Sequence, residues 1–592
     1  MSDDLSRRDL LKAAGLAGAA PLLESVSGAA APGQSPILPL TSSGDVFIPP
    51  KGNGFQKFSF DFPEPSVEFS YLRFSFRIYT RENVYGLDQA LIRVERDGDG
   101  IAIHCTGFVW AGGQEKAAGS LAARIHRTGD SVNDRVTWDA TVRMDQPIKS
   151  VAAVIRGIPR GKIGVAGSRP NDTHDDEVLI GYPFGAGDLF GGNTAWSMAT
   201  PLAVVQPSDS EFIAISSLDV RVRAKRLYFQ PGEHGYRVEA IHEVEGWLNH
   251  NQVQVPDWQI VRAPTLEAAV KPHYDHLESA FRIPRWEQRD DVPDWLRRTA
   301  LVVSLHGMHY TGFVFNDFAR MLEILRTVSA EIPGERVLVF LPAWDGRYYW
   351  DYPAYRASDR LGGEAGLKRL VDEGHRMGFR FMPMFGANAA NRHQPSWPRI
   401  QDAASDLIDG NRYDLTWVDW DNDRHQEGWL SYMNLGVDSW RQWLGERIGD
   451  CVERYGMDAW FLDISAGWIN NPRADMHEGM RRLVADLRRR FPRVPVCGEF
   501  HYDALLSFIP FYHVYSPRAV PYARFFSHLS PPAPGRGSSG VHESGFGAFD
   551  PQTLSLARRD GLIPTLSVVD DTFTTYRDQA LAVIRTAREW AT

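Results

Sequence analysis

The stretch DAWFLDISAGWINNPRADMHEGMRRLVADLRRRFPRVPVCGEF (residues 458–500) decides the fold of this chain. It opens with an apolar run that ends at Asp463, and it closes with a second short apolar run that ends at Glu499. Between them, residues 474–491 have the pattern of an amphipathic helix. A strand–helix–strand unit with an acid at each strand end is typical of a (β/α)8 barrel, whose active sites lie at the C-terminal ends of the strands.

Two carboxylates at neighbouring strand ends indicate cleavage of a glycosidic bond. One carboxylate attacks the sugar or activates water, and one carboxylic acid protonates the leaving oxygen. Taken singly, Asp463 could be a capping or loop residue, and Glu499 could belong to a structural ion pair. Taken together, we expect Asp463 to be the nucleophile and Glu499 the acid/base of a retaining mechanism, with the carboxyl groups about 5–5.5 Å apart. The pKa of the glutamic acid would have to be raised so that it starts protonated.

Apolar runs alternate with amphipathic helices from residue 296 onwards, which predicts a (β/α)8 TIM barrel over 296–592. A doubly wound open sheet is the structural alternative. The other predicted strands are ALVVSLHGMHY (300–310), RVLVFLPAW (336–344), FRFMPMFGAN (379–388), FYHVYSP (511–517), a segment near GVHESGFGAF (540–549) and GLIPTLSVVDD (561–571).

Residues 35–262 alternate apolar and polar side chains between turn residues, as in YLRFSFRIYT (71–80) and RVTWDATVRM (135–144). This pattern predicts antiparallel strands and a large β-sandwich domain. Residues 263–295 contain one helical stretch followed by a charged, proline-containing segment, and they predict a helical linker between the two domains.

The first 34 residues predict a twin-arginine signal peptide. SRRDLLK (6–12) is followed by an Ala/Gly/Leu stretch and by the small residues AAA (29–31). The stretch is too short and too rich in Ala and Gly for membrane insertion. We therefore expect export to the periplasm or the extracellular space. Three cysteines in 592 residues do not make a disulfide framework.

Composition excludes several other classes of protein. A net charge of −10 without a basic tract offers no attraction to nucleic acid. The sequence contains no GxxxxGK[ST], and no nucleotide cofactor is predicted. No metal is predicted either, because WVDWDNDRH (417–425) lacks the Gly and distal Glu of a calcium loop. The predicted partner is an oligosaccharide or polysaccharide substrate.

The passage YGMDAWFLDISAGW (455–468) resembles barrel segments of known glycosidases. Asp at the end of strand four and Glu at the end of strand five is the layout of the α-amylase-like enzymes. A closer resemblance is to the endo-α-N-acetylgalactosaminidases and their relatives, glycoside hydrolase families 101 and 129, in which a large β-domain also precedes the barrel. The resemblance implies an α-linked substrate. The chain has Phe461 where α-amylases have an Arg, which sets it apart from that family.

Polar and aromatic residues at other strand ends are candidates for sugar binding, because planar polar groups match hydroxyl pairs and aromatic rings match sugar faces. Two alternatives to a retaining hydrolase remain open. One is an inverting enzyme with carboxyl groups about 6.5–9.5 Å apart, and the other is a non-catalytic carbohydrate-binding protein on a degenerate barrel. The predicted substrate-binding residues are His306, Trp344, Asp345, Asn388, Trp468 and Asp570.

Overall fold

The computed structural model describes residues 37–38, 64–129, 133–166, 169–174, 177–183, 195–347, 349–387, 389–408, 410–412, 414, 429–514, 520–528 and 561–590. The predicted signal peptide, Asn388, the WVDWDNDRH stretch and the GVHESGFGAF segment lie outside the described residues.

A β-sandwich forms the N-terminal part of the protein. Its strands are β1 (Ile37–Leu38), β2 (Ser66–Phe69), β3 (Leu72–Tyr79), β4 (Val84–Leu87), β5 (Ile92–Asp97), β6 (Gly100–Trp110), β7 (Glu115–Gly129), β8 (Asp134–Met144), β9 (Ser150–Ile158), β10 (Lys162–Val165), β11 (Asp172–Thr173), β12 (Val178–Tyr182), β13 (Ala195–Ser197), β14 (Leu202–Ser208), β15 (Glu211–Ser217), β16 (Lys225–Gly232), β17 (Gly235–Glu243) and β18 (Gln252–Ala263).

Two layers of the sandwich pack face to face. One layer has the strand order β1-β2-β3-β9-β17-β16-β12-β13, and the other has the order β11-β10-β14-β15-β18-β8-β7-β6-β5. Phe74 of the first layer lies 5.7 Å from Trp138 of the second, and Trp138 stacks on Trp258 at 6.1 Å. Alternate residues of β8 are buried, as a strand with one face on the core requires.

The C-terminal part is a closed barrel of eight parallel strands. They are β19 (Leu301–Leu305), β20 (Val337–Leu341), β21 (Arg380–Gly386), β24 (Trp460–Asp463), β25 (Val496–Glu499), β26 (Phe511–His513), β27 (Arg524–His528) and β28 (Ile563–Val568). A two-stranded sheet of β22 (Ala389–Asn391) and β23 (Leu430–Tyr432) follows β21. Because β28 pairs with β19, the predicted sandwich-plus-barrel architecture is confirmed and an open sheet is excluded.

The helices of the described residues are α1 (Leu266–Ala280), α2 (Asp294–Arg297), α3 (Phe318–Ser329), α4 (Gly363–Arg376), α5 (Trp397–Ile400), α6 (Asp438–Tyr455), α7 (Met476–Arg490) and α8 (Arg577–Trp590). Short 3-10 turns occupy Gln89–Leu91, Ala111–Gly113, Trp286–Gln288, Gly334–Arg336, Asp359–Leu361, Gln401–Ala403 and Asp503–Ser507.

The prediction for the seventh barrel strand is wrong. That strand is RFFSH at Arg524–His528, and not a segment near residues 540–549. Its five residues lack the alternation that identifies a half-buried strand, and prolines lie close on both sides. The sequence pattern therefore did not predict a strand there.

The segment between α1 and β19 packs on the outside of the barrel. The connection from β25 to β26 contains only a 3-10 turn, so this connection provides no helix to cover the barrel wall. Arg289 is 2% exposed and donates hydrogen bonds to the carbonyls of Leu506 and Tyr522 at 2.5 and 3.2 Å. The Trp286 N–H donates to Pro521 O. The segment thus covers the barrel wall that this connection leaves open.

Candidate active site at the C-terminal end of the barrel

Asp463 and Glu499 lie side by side on neighbouring parallel strands. Leu462 of β24 is paired with Gly498 of β25, so the next residue of each strand occupies the same position in the register. Residues that share a register position on parallel strands point to the same face, and the strands are about 4.8 Å apart. The two carboxylates therefore start from adjacent positions on one face of the barrel wall.

That face is the interior of the barrel. The ring of Phe461, two residues before Asp463, lies 4.6 Å from Phe340 of β20 and 6.5 Å from Phe526 of β27. Neither β20 nor β27 is a neighbour of β24, so the Phe461 ring crosses the interior. Since side chains alternate along a strand, Asp463 faces the same interior at its C-terminal end.

Both carboxylates are buried, and Glu499 is held by the backbone beyond Asp463. Asp463 is 1% exposed and Glu499 is 5% exposed. The N–H of Ile464 donates to Glu499 Oε2 at 2.8 Å, and the Ser465 hydroxyl donates to the Glu499 carbonyl at 2.9 Å. With Oε2 engaged, Oε1 is the oxygen through which Glu499 could exchange a proton with a ligand.

Each acid is followed by a residue in the left-handed region of backbone conformation. Ile464 has φ 53° and Phe500 has φ 56°. For β-branched or bulky residues this costs roughly 1–3 kcal/mol each, and such conformations persist only where the surroundings enforce them. They concentrate at functional sites. Their occurrence directly after both carboxylates indicates that these two strand ends form a functional site.

The same register row contains two positions that the sequence did not single out. Gly386 of β21 is paired with Asp463, and His513 of β26 is paired with Glu499. A Cβ at Gly386 would lie 2.6 Å from the Tyr352 ring, so that ring fills the space beside Asp463. His513 is 1% exposed and stacks on Phe526 at 4.8 Å. The signals that could have found them were a glycine ending one strand and a histidine ending another.

Burial and charge act on two ionisable side chains from the segment after β20. Burial raises the pKa of Tyr352 well above its usual range, and the Asp463 charge adds to the shift. Tyr352 therefore presents a neutral hydroxyl. Burial also raises the pKa of Asp345 to about 8, with Asp351 adding to it, so Asp345 is mostly protonated at neutral pH.

Trp344 is packed into the outer layer of the barrel. Its indole N–H donates to the Met384 carbonyl at 3.0 Å, and its ring lies 6.0 Å from Phe385. Phe385 lies four residues after Phe381, on the face that packs against Gly374 of α4. The substrate-binding role of Trp344 remains a prediction. The prediction depended on a place directly at a strand end, whereas β20 ends at Leu341 and the left-handed residue Ala343 (φ 51°) precedes Trp344.

The other predicted binding residues lie at separate strand ends. His306 directly follows β19, is 1% exposed and donates its backbone N–H to Val568 O. Asp570 follows the adjacent strand β28 and is half-buried. Trp468, five residues after Asp463, is 1% exposed, and its indole N–H has no hydrogen-bond partner among the described residues. The substrate-binding roles of these residues remain predictions, as does that of Asn388.

The described residues contain no group of three or more His, Cys, Asp or Glu side chains placed to hold a metal ion. Within the same residues, no helix is long and apolar enough to cross a bilayer.

The architecture is similar to that of α-N-acetylgalactosaminidase NagBb from Bifidobacterium bifidum. The ligand-free structure of that enzyme has a TM-score of 0.59 and 13% identity, over 88% of this chain and 93% of that one. Its GalNAc complex has a TM-score of 0.59 and 12% identity, over 89% and 93%. Its Gal-NHAc-DNJ complex has a TM-score of 0.59 and 14% identity, over 90% and 92%. At this identity the likeness shows a shared fold.

No protein-family model matches the sequence, and no curated protein matches it.

Proposed function

We propose that this protein is a retaining glycoside hydrolase in which Asp463 is the nucleophile and Glu499 the acid/base. The observation that carries the proposal is the shared register position of the two carboxylates at the C-terminal end of a closed barrel. Adjacent positions on one interior face suit the separation of about 5–5.5 Å that double displacement needs.

The surroundings support these two roles. Asp463 lies beside Tyr352, whose neutral hydroxyl can donate a hydrogen bond to a carboxylate. Glu499 must give a proton in the first step and take one from water in the second. The Ile464 N–H holds Oε2 in place, which leaves Oε1 as the oxygen that carries the transferred proton.

We propose an α-linked glycoside as the substrate. The sequence resembles families 101 and 129, and the fold is similar to that of an enzyme named α-N-acetylgalactosaminidase, one structure of which is a GalNAc complex. α-N-acetylgalactosaminides are therefore the first substrates to assay, followed by α-galactosides and oligosaccharides that end in either sugar.

The test compares the wild type with Asp463→Asn and Glu499→Gln on a panel of chromogenic α-glycosides. Both variants should lose activity, and azide should restore turnover of an activated glycoside by Glu499→Gln, because the small anion replaces water in the second step. NMR of the first-formed product should show retained configuration. Asp486→Asn, an exposed carboxylate on α7, is the matched control and should behave as wild type.

Three results would each replace the proposal. Near-normal activity of Asp463→Asn or Glu499→Gln would remove that residue from the mechanism. An inverted first product would indicate a single displacement. Sugar affinity without turnover would indicate a binding protein.

We also propose export by the twin-arginine route, on the basis of the SRRDLLK segment. Replacement of Arg7 and Arg8 by Lys should retain the full-length protein in the cytoplasm. Unchanged processing and localisation would contradict export by that route.

A further inference from the structure

The loop that follows Asp463 ends on the β-sandwich through Asn470. Its amide donates to Glu243 Oε1 at 2.7 Å and to the Val244 carbonyl at 2.9 Å, and it accepts from the Gly246 N–H at 2.6 Å. A Cβ at Gly246 would lie 3.0 Å from Asn470 Oδ1, so this close approach depends on glycine. Both the amide nitrogen and the amide oxygen of Asn470 are thus hydrogen-bonded to the sandwich.

The loop that follows Glu499 is held in the same way through Asp503. Its carboxylate accepts from the Tyr182 hydroxyl at 2.6 Å and from the Thr200 hydroxyl at 2.9 Å, and its backbone N–H donates to Ala199 O at 2.7 Å. Asp503 is 3% exposed. Burial raises its pKa, and the hydrogen bonds from Tyr182 and Thr200 oppose that shift.

One edge of the sandwich makes both contacts. Tyr182 of β12 is paired with Lys225 of β16, which is paired with His242 of β17, and Glu243 is the next residue. The Lys225 ammonium lies 5.0 Å from the centre of the Tyr182 ring. We call Tyr182, Lys225 and Glu243 the contact edge. Because these residues are neighbours in one sheet, the two loops rest on a single rigid support.

Those two loops set the geometry of the carboxylates. Ile464 and Phe500 open the loops in left-handed conformations that need support from their surroundings. The first loop also rests on the second, since the Ser465 hydroxyl and the Ala466 N–H both donate to the Glu499 carbonyl. A displacement of either loop would therefore change the distance between the two acids.

We propose that Asn470 and Asp503 are positioning residues, through which the contact edge of the β-sandwich fixes the relative placement of Asp463 and Glu499. The inference rests on the proposed function for its catalytic consequence. It makes the sandwich part of the catalytic unit, although neither acid lies in that domain.

The activity test uses leaving groups of different quality. Tyr182→Phe combined with Thr200→Val removes both side-chain donors to Asp503, together with the contact of the Thr200 hydroxyl with His273 Nε2 at 2.6 Å. It should lower kcat on the order of 10- to 100-fold for glycosides with poor leaving groups, because misplacement of the acid is costly there. An activated aryl glycoside needs little protonation and should lose much less, and KM should change little in both cases.

Asn470→Ala, in the loop that follows the nucleophile, should lower kcat for both types of substrate. Tyr236→Phe is the matched control, because it removes a buried hydroxyl that donates to Gly161 O at 3.0 Å, at the opposite end of β17 from Glu243. It should leave both activities at wild-type values. Equal losses on both substrates for the Tyr182/Thr200 variant would overturn the proposal.

Hydrogen exchange read by mass spectrometry gives a second test that needs no substrate. Asn470→Ala should speed exchange in residues 464–471, and the Tyr182/Thr200 variant should speed it in residues 500–508, with the cores of β8 and β9 unchanged. Wild-type exchange in both segments would overturn the proposal. Normal activity of Asp463→Asn would instead contradict the proposed function. The hydrogen-exchange result would then still test whether Asn470 and Asp503 hold the two loops.

Discussion

Two sides of the barrel opening hold carboxylates in different ways. On one side, Asp463 and Glu499 share a register position and face the interior of the barrel. Glu499 also accepts a hydrogen bond from a backbone N–H. On the other, Asp345 follows β20 after a left-handed turn, and its Oδ2 has no hydrogen-bond partner among the described residues. Burial keeps Asp345 mostly protonated at neutral pH, with a pKa of about 8. A carboxylate beyond a strand end is thus not enough; register and donors distinguish the two sides.

The largest expected effect separates the two sides by activity. Asp463→Asn should lower kcat on the order of 10^4-fold or more, as removal of a nucleophile does. Asp345→Asn should cause a much smaller loss, because an amide keeps the size and the donor capacity of a protonated carboxyl. Steady-state kinetics of both variants on one substrate checks this. Equal losses would place Asp345 in the chemistry and break the comparison.

The next effect concerns which residue delivers the proton. Glu499→Gln should reduce kcat by roughly 10²- to 10⁴-fold on glycosides with poor leaving groups. The loss should shrink as the leaving group becomes more acidic, because such a group departs without protonation. A plot of log kcat against leaving-group pKa should be steep for this variant and shallow for the wild type. A steep plot for Asp345→Asn instead would transfer the acid role to Asp345.

The protonation of Asp345 should be visible in stability. Its carboxyl has a pKa of about 8 in the folded protein and about 3.8 when exposed, so between those values the folded state holds a proton that the unfolded state lacks. Stability from this group therefore falls as pH rises through that window, by up to about 1.4 kcal/mol per pH unit. Relative to wild type, Asp345→Asn should gain stability from pH 5 to pH 8.

Denaturant unfolding at several pH values measures that difference. Gly445→Ala serves as the control, since it changes no ionisable group and should give a difference that does not change with pH. A constant difference for Asp345→Asn as well would mean that Asp345 is ionised in the folded protein.

The smallest expected effect concerns Gly386, the register partner of Asp463 on β21. Gly386→Ala should destabilise the protein by about 1–3 kcal/mol and lower kcat, because the new Cβ would lie 2.6 Å from the Tyr352 ring. The control is Gly445→Ala in α6, where a Cβ meets only Leu483 at 3.4 Å; it should be neutral or stabilising by up to about 1 kcal/mol. Thermal melts and kinetics of both variants test this. If Gly386→Ala had the stability and kcat of the wild type, the Tyr352 ring would have to move freely.

The sequence predicted those parts of the fold and site that local patterns determine. Strand β24, helix α7 and strand β25 each have their own periodicity, so the two strand-end acids could be named before the structure. Their shared register could not, because pairing depends on where the whole barrel closes. RFFSH was missed since five residues carry too little periodicity.

Side chains beyond the strands were harder to predict. The position of Trp344 depends on the left-handed backbone conformation of Ala343, which no local sequence pattern predicts. The contacts of Asn470 and Asp503 join residues more than 200 positions apart in sequence. Tyr352 was missed because its place beside Asp463 depends on the missing side chain of Gly386, on another strand. Long-range packing of this kind leaves no signal in a single sequence.

The central claim is that Asp463 attacks a sugar held between it and Glu499. Reaction with an activated, slowly released glycosyl inhibitor, followed by peptide mapping by mass spectrometry, tests it most directly. The account predicts one covalently attached sugar on the peptide that contains Asp463, and none in Asp463→Asn. A sugar attached to another carboxylate such as Asp345, or turnover with inverted configuration and no attached sugar, would contradict it.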